Sequence, residues 1–130
     1  MTLVLDASAA VELLLRTPRG VQVEAHLADQ LVTAPDLLDV EVCSALARLV
    51  RSGNVTGCEA DDAVHRLGRL PARRIGAELL RDTAWALRDR VRIADGFYVA
   101  AASRLTASLL TCDARLARAS LTGIAIILVR

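Results

Sequence analysis

Lysine is missing from this chain: the count of Lys and Arg together is 16, and every one is Arg. That excludes a phosphate-binding P-loop and a phosphoacceptor receiver domain, which need a Lys, and Schiff-base chemistry, which uses one as nucleophile. Aromatics are almost as scarce, with Trp85, Phe97 and Tyr98 the full set. The core must therefore be packed from Leu, Val, Ile and Ala, and an apolar share of 54% excludes disorder. Cysteines number three (Cys43, Cys58 and Cys112), with no C-x-x-C pair and no His nearby. Neither a disulfide framework nor a zinc site follows, and free thiols in a reducing cytosol are expected. No cationic leader precedes the first apolar run, which Asp6 interrupts, so neither a signal peptide nor a membrane span is expected and the location is read as cytoplasmic. Against the 16 basic residues stand 15 acids, and a net charge of +1 announces neither a nucleic acid nor a membrane. A length of 130 residues predicts one domain over 1–130.

What is present is an alternation of periods. Short apolar runs at Thr2–Leu5, Leu31–Ala34, Ser108–Cys112 and Ile124–Val129 read as strands buried on both faces of a parallel sheet. Helical spacing occupies Ala9–Leu15, Val21–Ala28, Asp36–Arg51, Cys58–Leu70, Glu78–Arg90, Asp95–Leu105 and Ala114–Ala119. Pro18 and Gly20 read as breaks, Pro35 as an opening, Ser52-Gly53-Asn54 as a close, and Thr56 as an N-cap. Pro71–Gly76 reads equally as a short strand or a basic connector. The class is α/β, with a parallel sheet of four to five strands flanked by helices.

Acids recur at the seams. Asp6 follows Leu3-Val4-Leu5, Asp113 follows Leu109 to Cys112, and Asp95 follows Val91-Arg92-Ile93-Ala94, each where an apolar segment hands over to a helix. In an open α/β sheet the carboxyl ends of the strands share one edge, so the three should converge there. Asp is a favoured N-cap and anions suit helix N-termini, which accounts for each acid singly. It does not account for Asp at all three sites, where Ser, Thr or Asn would cap as well.

Glu41 breaks a pattern instead: Leu37 and Leu38 lie one turn before it and Ala45 one turn after, which places it toward the apolar stripe. It either bridges to an Arg such as Arg48 or points at the same crevice as the Asp residues. Carboxylates about 4 Å apart repel by about 4 kcal/mol at an effective dielectric of about 20, so a cluster raises its own pKa values or takes a cation. An all-oxygen set suits Mg²⁺ or Mn²⁺, and the chemistry then open to it is phosphodiester hydrolysis by an activated water.

The stretches VLDASA (Val4–Ala9), PDLLDVEVCSAL (Pro35–Leu46), IADGFYVAAA (Ile93–Ala102) and LLTCDARL (Leu109–Leu116) resemble the acidic motifs of PIN-domain nucleases. Most of all they are similar to the compact VapC-type toxins of bacterial toxin–antitoxin pairs. The resemblance implies a PIN fold and Mg²⁺- or Mn²⁺-dependent endoribonuclease activity, with Asp6, Glu41, Asp95 and Asp113 as metal-binding and catalytic acids. It places Ser8 and Thr111 as small hydroxyls beside the first and last acids, where a hydrogen bond can orient a carboxylate. A capping role for Ser8 and an ordinary strand role for Thr111 are the alternatives. Ala114–Ala119 carry no further acid, unlike some relatives, which leaves four candidates and puts a second metal in question. The resemblance further implies an RNA substrate, a homodimer, and a VapB-type antitoxin for which Leu13–Leu15 or Val64–Leu70 could supply apolar surface, although most of these read as core.

Eight arginines, Arg16, Arg19, Arg73, Arg74, Arg88, Arg90, Arg92 and Arg104, are candidate phosphate contacts as a group. His26 and His65 read as surface residues and Trp85 as core filler. Two other readings remain open: a non-catalytic PIN-like binding module whose acids only cap and bridge, and an acid-cluster phosphohydrolase acting on DNA or a small phosphoester.

Overall fold

A computed structural model describes residues 1–119 and 121–130. Among these residues the chain runs β1 (Thr2–Leu5), α1 (Ala7–Leu15), α2 (Pro18–Leu27), β2 (Leu31–Pro35), α3 (Leu38–Arg51), α4 (Gly57–Arg69) and β3 (Ala72–Ile75). A 3-10 turn (Ala77–Leu79) then leads to α5 (Arg81–Ala86), α6 (Ile93–Leu105), β4 (Ser108–Thr111), α7 (Ala114–Ala117) and β5 (Ile126–Leu128). The strands form one sheet in the order β3-β2-β1-β4-β5, every neighbouring pair parallel. Parallel neighbours need long crossovers, and the helices supply them. From central β1 the chain steps outward through β2 to β3, then returns to add β4 and β5 on the other side. The order therefore reverses between β1 and β4, which opens a crevice at the carboxyl ends of those two strands.

Leu3, Val4 and Leu5 are all buried, as are Leu109 and Leu110, as strands covered on both faces require. Against the sheet pack α6, which touches β1, β2 and β4, and α1, which gathers α2, α3 and α4 around it. The core is Leu, Val and Ala, and Tyr98 is its one large aromatic. Two glycines set helix spacing. A Cβ on Gly20 would lie 2.0 Å from the Glu12 carbonyl oxygen, so α2 meets α1 backbone to backbone. A Cβ on Gly96 would lie 3.1 Å from the Ala84 carbonyl oxygen, so α6 seats closely on α5.

Several boundaries differ from the sequence expectation, each for a local reason. Pro18 opens α2 at its first turn behind the Thr17 cap, where a missing N–H costs nothing. Asp36 donates its N–H to the Ile75 carbonyl at 2.8 Å, extending the ladder, so α3 starts only at Leu38. The open segment Pro71–Gly76 contains an edge strand, Ala72–Ile75. The long helix expected over Glu78–Arg90 is a 3-10 turn followed by the six residues of α5, and Leu80, which caps α5, and Ala84 are buried one turn apart before the chain turns toward α6. Trp85 is not core filler: it faces away from that contact and is 60% exposed. Val91–Ala94 is not a strand, because Arg92 is the N-cap of α6 and Ile93 its first residue, so Asp95 sits in a helical first turn and not at a strand end. His26 and His65 are both exposed.

Candidate active site

Register brings the first two acids together. Leu5 of β1 pairs with Leu110 of β4, so Asp6 comes level with Thr111, and the Asp6 N–H donates to the Leu110 carbonyl at 3.2 Å. Asp6 caps α1, its Oδ1 accepting from the Ala9 N–H at 3.0 Å and from the Ser8 hydroxyl at 2.8 Å. Its Oδ2 accepts from the Thr111 hydroxyl at 2.6 Å. The Cys112 N–H donates to Ser8 Oγ at 3.0 Å and the Asp113 N–H to Thr111 Oγ1 at 2.9 Å. Each hydroxyl thus spends its one proton on Asp6 and accepts an amide from the turn after β4, tying the two strand ends together. Burial raises the Asp6 pKa to about 6; hydrogen bonds from Thr111, Ala9 and Ser8 restrain that rise, and the Asp95 charge adds to it.

Asp113 caps α7, accepting at Oδ1 from the Arg115 N–H at 2.9 Å and the Leu116 N–H at 3.4 Å. Arg115 also lies 3.5 Å from its other oxygen. Asp95, buried in the first turn of α6, receives Arg92 Nε at 3.1 Å. That hydrogen bond, and then the same charge, raises the Arg92 pKa. Glu41 lies in the first turn of α3 and is half-buried; no ion pair joins it to Arg48 among the described residues. Its carboxylate lies within reach of the buried Tyr98 hydroxyl but not in hydrogen-bonding geometry, and that hydroxyl has no partner among the described residues. Burial first, and Glu41 next, push the Tyr98 pKa far up.

Asp6, Glu41, Asp95 and Asp113 all line one cleft of about 290 Å³, together with Ser8, Tyr98, Arg48 and Arg92. Three of the acids belong to the N-terminal ends of α1, α3 and α6, whose exposed N–H groups offset part of the mutual repulsion. Of the polar lining residues not singled out as site residues from sequence, the first is Glu12 of α1, a fifth acid at the cleft that is paired with Arg19. Tyr98 follows Asp95 by one helical turn, a spacing that puts both on one face, and Arg92 was only one of the arginine group.

The PIN domain family matches residues 3–121. The chain belongs to the PIN-domain family. Among PIN-domain proteins it is of the VapC type: Ribonuclease VapC3 of Mycobacterium tuberculosis is 44% identical over 117 residues, covering 89% of this chain and 85% of that protein. Ribonuclease VapC12 of the same organism is 42% identical over 116 residues, covering 89% of this chain and 90% of the relative. Two solved structures share the PIN fold at low identity. VapBC2 from Rickettsia felis, bound to a DNA fragment from its promoter, superposes with a TM-score of 0.65 at 11% identity, covering 98% of each chain. FitAcB from Neisseria gonorrhoeae gives 0.61 at 18% identity, covering 96% of each.

The PIN-domain cleft offers a cation only oxygen donors, the set that suits hard ions such as Mg²⁺ and Mn²⁺. Asp6 presents two oriented oxygens, of which Oδ2, holding a single hydrogen bond, keeps acceptor capacity, and the orphaned Tyr98 hydroxyl adds an uncharged oxygen at the cleft wall. As placed, no three His, Cys, Asp or Glu side chains among the described residues already form a metal cage. Arg92 and Arg115 hold two of the four acids, so coordination requires those carboxylates to turn from guanidinium to ion. By donor chemistry and by convergence on one cleft, the residues fit a hard divalent cation.

Proposed function

We propose that this PIN-domain protein is a Mg²⁺- or Mn²⁺-dependent endoribonuclease, the toxin of a pair with a VapB-type antitoxin, acting as a homodimer. The observation that carries the reading is one cleft lined by carboxylates from four separate segments of the chain. Asp6, Glu41, Asp95 and Asp113 would hold the cation, which supplies water activation and charge stabilisation at a phosphodiester. Ser8 and Thr111 fix the Asp6 carboxylate from both sides, so its orientation is set before any ligand arrives. Arg92, in the cleft lining, and Arg115, beside it, balance Asp95 and Asp113 and become available as phosphate partners once those acids turn away. The relatives named ribonuclease VapC support RNA as substrate, and the VapBC2 complex supports an antitoxin partner.

A second reading, a non-catalytic module, draws on the capping by Asp6 and Asp113 and on the two Arg bridges. Glu41 counts against it, since this half-buried acid neither caps a helix nor makes an ion pair among the described residues. Purified protein incubated with RNA and Mn²⁺ separates the two. The nuclease reading expects cleavage by wild type, none with chelator, and none by folded Asp95→Asn. Equal cleavage by that variant, or no cleavage of RNA by wild type with either metal, refutes it. Cleavage confined to DNA or a small phosphoester would assign the cleft to another phosphohydrolase.

A further inference from the structure

Beside the acid cleft lies a second cavity, of about 380 Å³, with the opposite charge. Arg88, Arg90, Arg92 and Arg115 line it against only two acids, Asp89 and Asp95. Arg92 and Asp95 line both cavities, so the basic one adjoins the acidic one directly. Trp85, the only tryptophan of the chain and 60% exposed, is not one of the basic cavity's lining residues but adjoins one of them, Arg88. The Arg88 guanidinium lies 4.9 Å from the centre of the Trp85 ring, and its Nη1 donates to the Trp85 carbonyl at 3.1 Å. Three arginines away from this cavity are held by other partners: Arg74 by Asp39, Arg66 by the Leu14 carbonyl, and Arg19 by Glu12.

We infer that Trp85–Arg92, with Arg115, form a ledge for single-stranded RNA flanking the scissile phosphate, the guanidiniums taking backbone phosphates and Trp85 stacking a base. The inference rests on the ribonuclease reading and deepens it by naming where the substrate strand lies. A basic groove that tracks the backbone beside an aromatic face is what single strands require, since every base has a π-face and every linkage a phosphate. An exposed indole beside a guanidinium supplies that face, and Arg forks match phosphate oxygens. The adjacency supplies the geometry: a strand entering the acid cleft passes the basic cavity next.

The test uses the full chain and a short mixed-sequence oligoribonucleotide, with Ca²⁺ in place of the activating cation. Binding is read by Trp85 fluorescence and by anisotropy across a salt series. The ledge predicts quenching on binding. It predicts that Arg88→Gln, an exposed position, lowers the slope of log K against log salt by about 0.7. Trp85→Ala should weaken binding about tenfold across sequences, the loss of one stacked base. In cleavage assays Arg88→Gln should raise KM far more than it lowers kcat. Fluorescence indifferent to bound RNA, or a salt slope and KM unchanged in Arg88→Gln, overturns the ledge even if wild type cleaves RNA. Quenching and an altered slope with no cleavage by wild type under Mg²⁺ or Mn²⁺ would instead sustain the ledge and overturn the nuclease reading.

Discussion

Asp6 is buried with only neutral hydrogen bonds to support its charge, and that has a measurable cost. Its pKa rises from the ordinary 3.8 to about 6, chiefly by burial. Because the folded protein holds this proton more tightly than the unfolded chain, stability from this group is full below the ordinary pKa. It falls as pH rises toward the folded value. A shift of that size corresponds to about 3 kcal/mol at neutral pH, a sizeable part of a domain's total stability. Asp6→Asn removes the charge and keeps the shape. Asn Oδ1 can still accept from Ser8 and Ala9, its amide can donate to Thr111 Oγ1, and Thr111 can pass its proton to Ser8 Oγ, 3.2 Å away. Urea unfolding in chelator, at intervals from pH 4 to 8, should show wild type losing up to about 3 kcal/mol relative to Asp6→Asn across that window. At pH 7.5 the variant should melt about 10 °C higher. Parallel stability profiles, or a variant less stable than wild type at pH 7.5, would show that the Asp6 charge is not under strain.

Thr111→Val should cost about 1–3 kcal/mol by urea unfolding, since it strips a donor from Asp6 and leaves the Asp113 N–H without its acceptor. The same variant should raise the Asp6 pKa further, readable by carboxyl NMR titration. Gly20→Ala should destabilise by about 1–3 kcal/mol or more, because its Cβ meets the backbone of α1 at 2.0 Å and one helix must shift. Tyr98→Phe removes a buried hydroxyl with no partner among the described residues, so thermal unfolding should show stability unchanged or higher by about 1 kcal/mol.

Much of this was legible because periodicity and punctuation report local physics. β1 and β4 showed as uninterrupted apolar runs because both their faces are covered, and an acid one residue after β1 and two after β4 marked the switch-point edge. Glu41 showed because a charge near an apolar stripe is a visible anomaly. Asp95 lines the cleft but on a different element from the one expected: a run of Val, Arg, Ile and Ala reads alike as a strand or a helix entrance, and only packing decides. β3 stayed open for a similar reason, since an edge strand containing Arg73 and Arg74 lacks the apolar signal of a central one. Trp85 is exposed where a core position was expected, because which face a short helix buries depends on partners far along the chain. The hydroxyl network on Asp6 spans over a hundred residues of sequence, and pair register, not spacing, creates it.

The central claim is that four acids from separate segments act together on one hard cation. Mn²⁺ binding to the purified protein, followed by electron paramagnetic resonance at pH 7.5, tests it most directly when wild type, Glu41→Gln and Asp6→Asn are compared. The account predicts saturable binding by wild type, at least tenfold weaker binding in each folded variant, and wild-type affinity that falls as pH drops through about 6, where Asp6 takes up its proton. Absent binding by wild type, or equal binding by all three proteins, would contradict it.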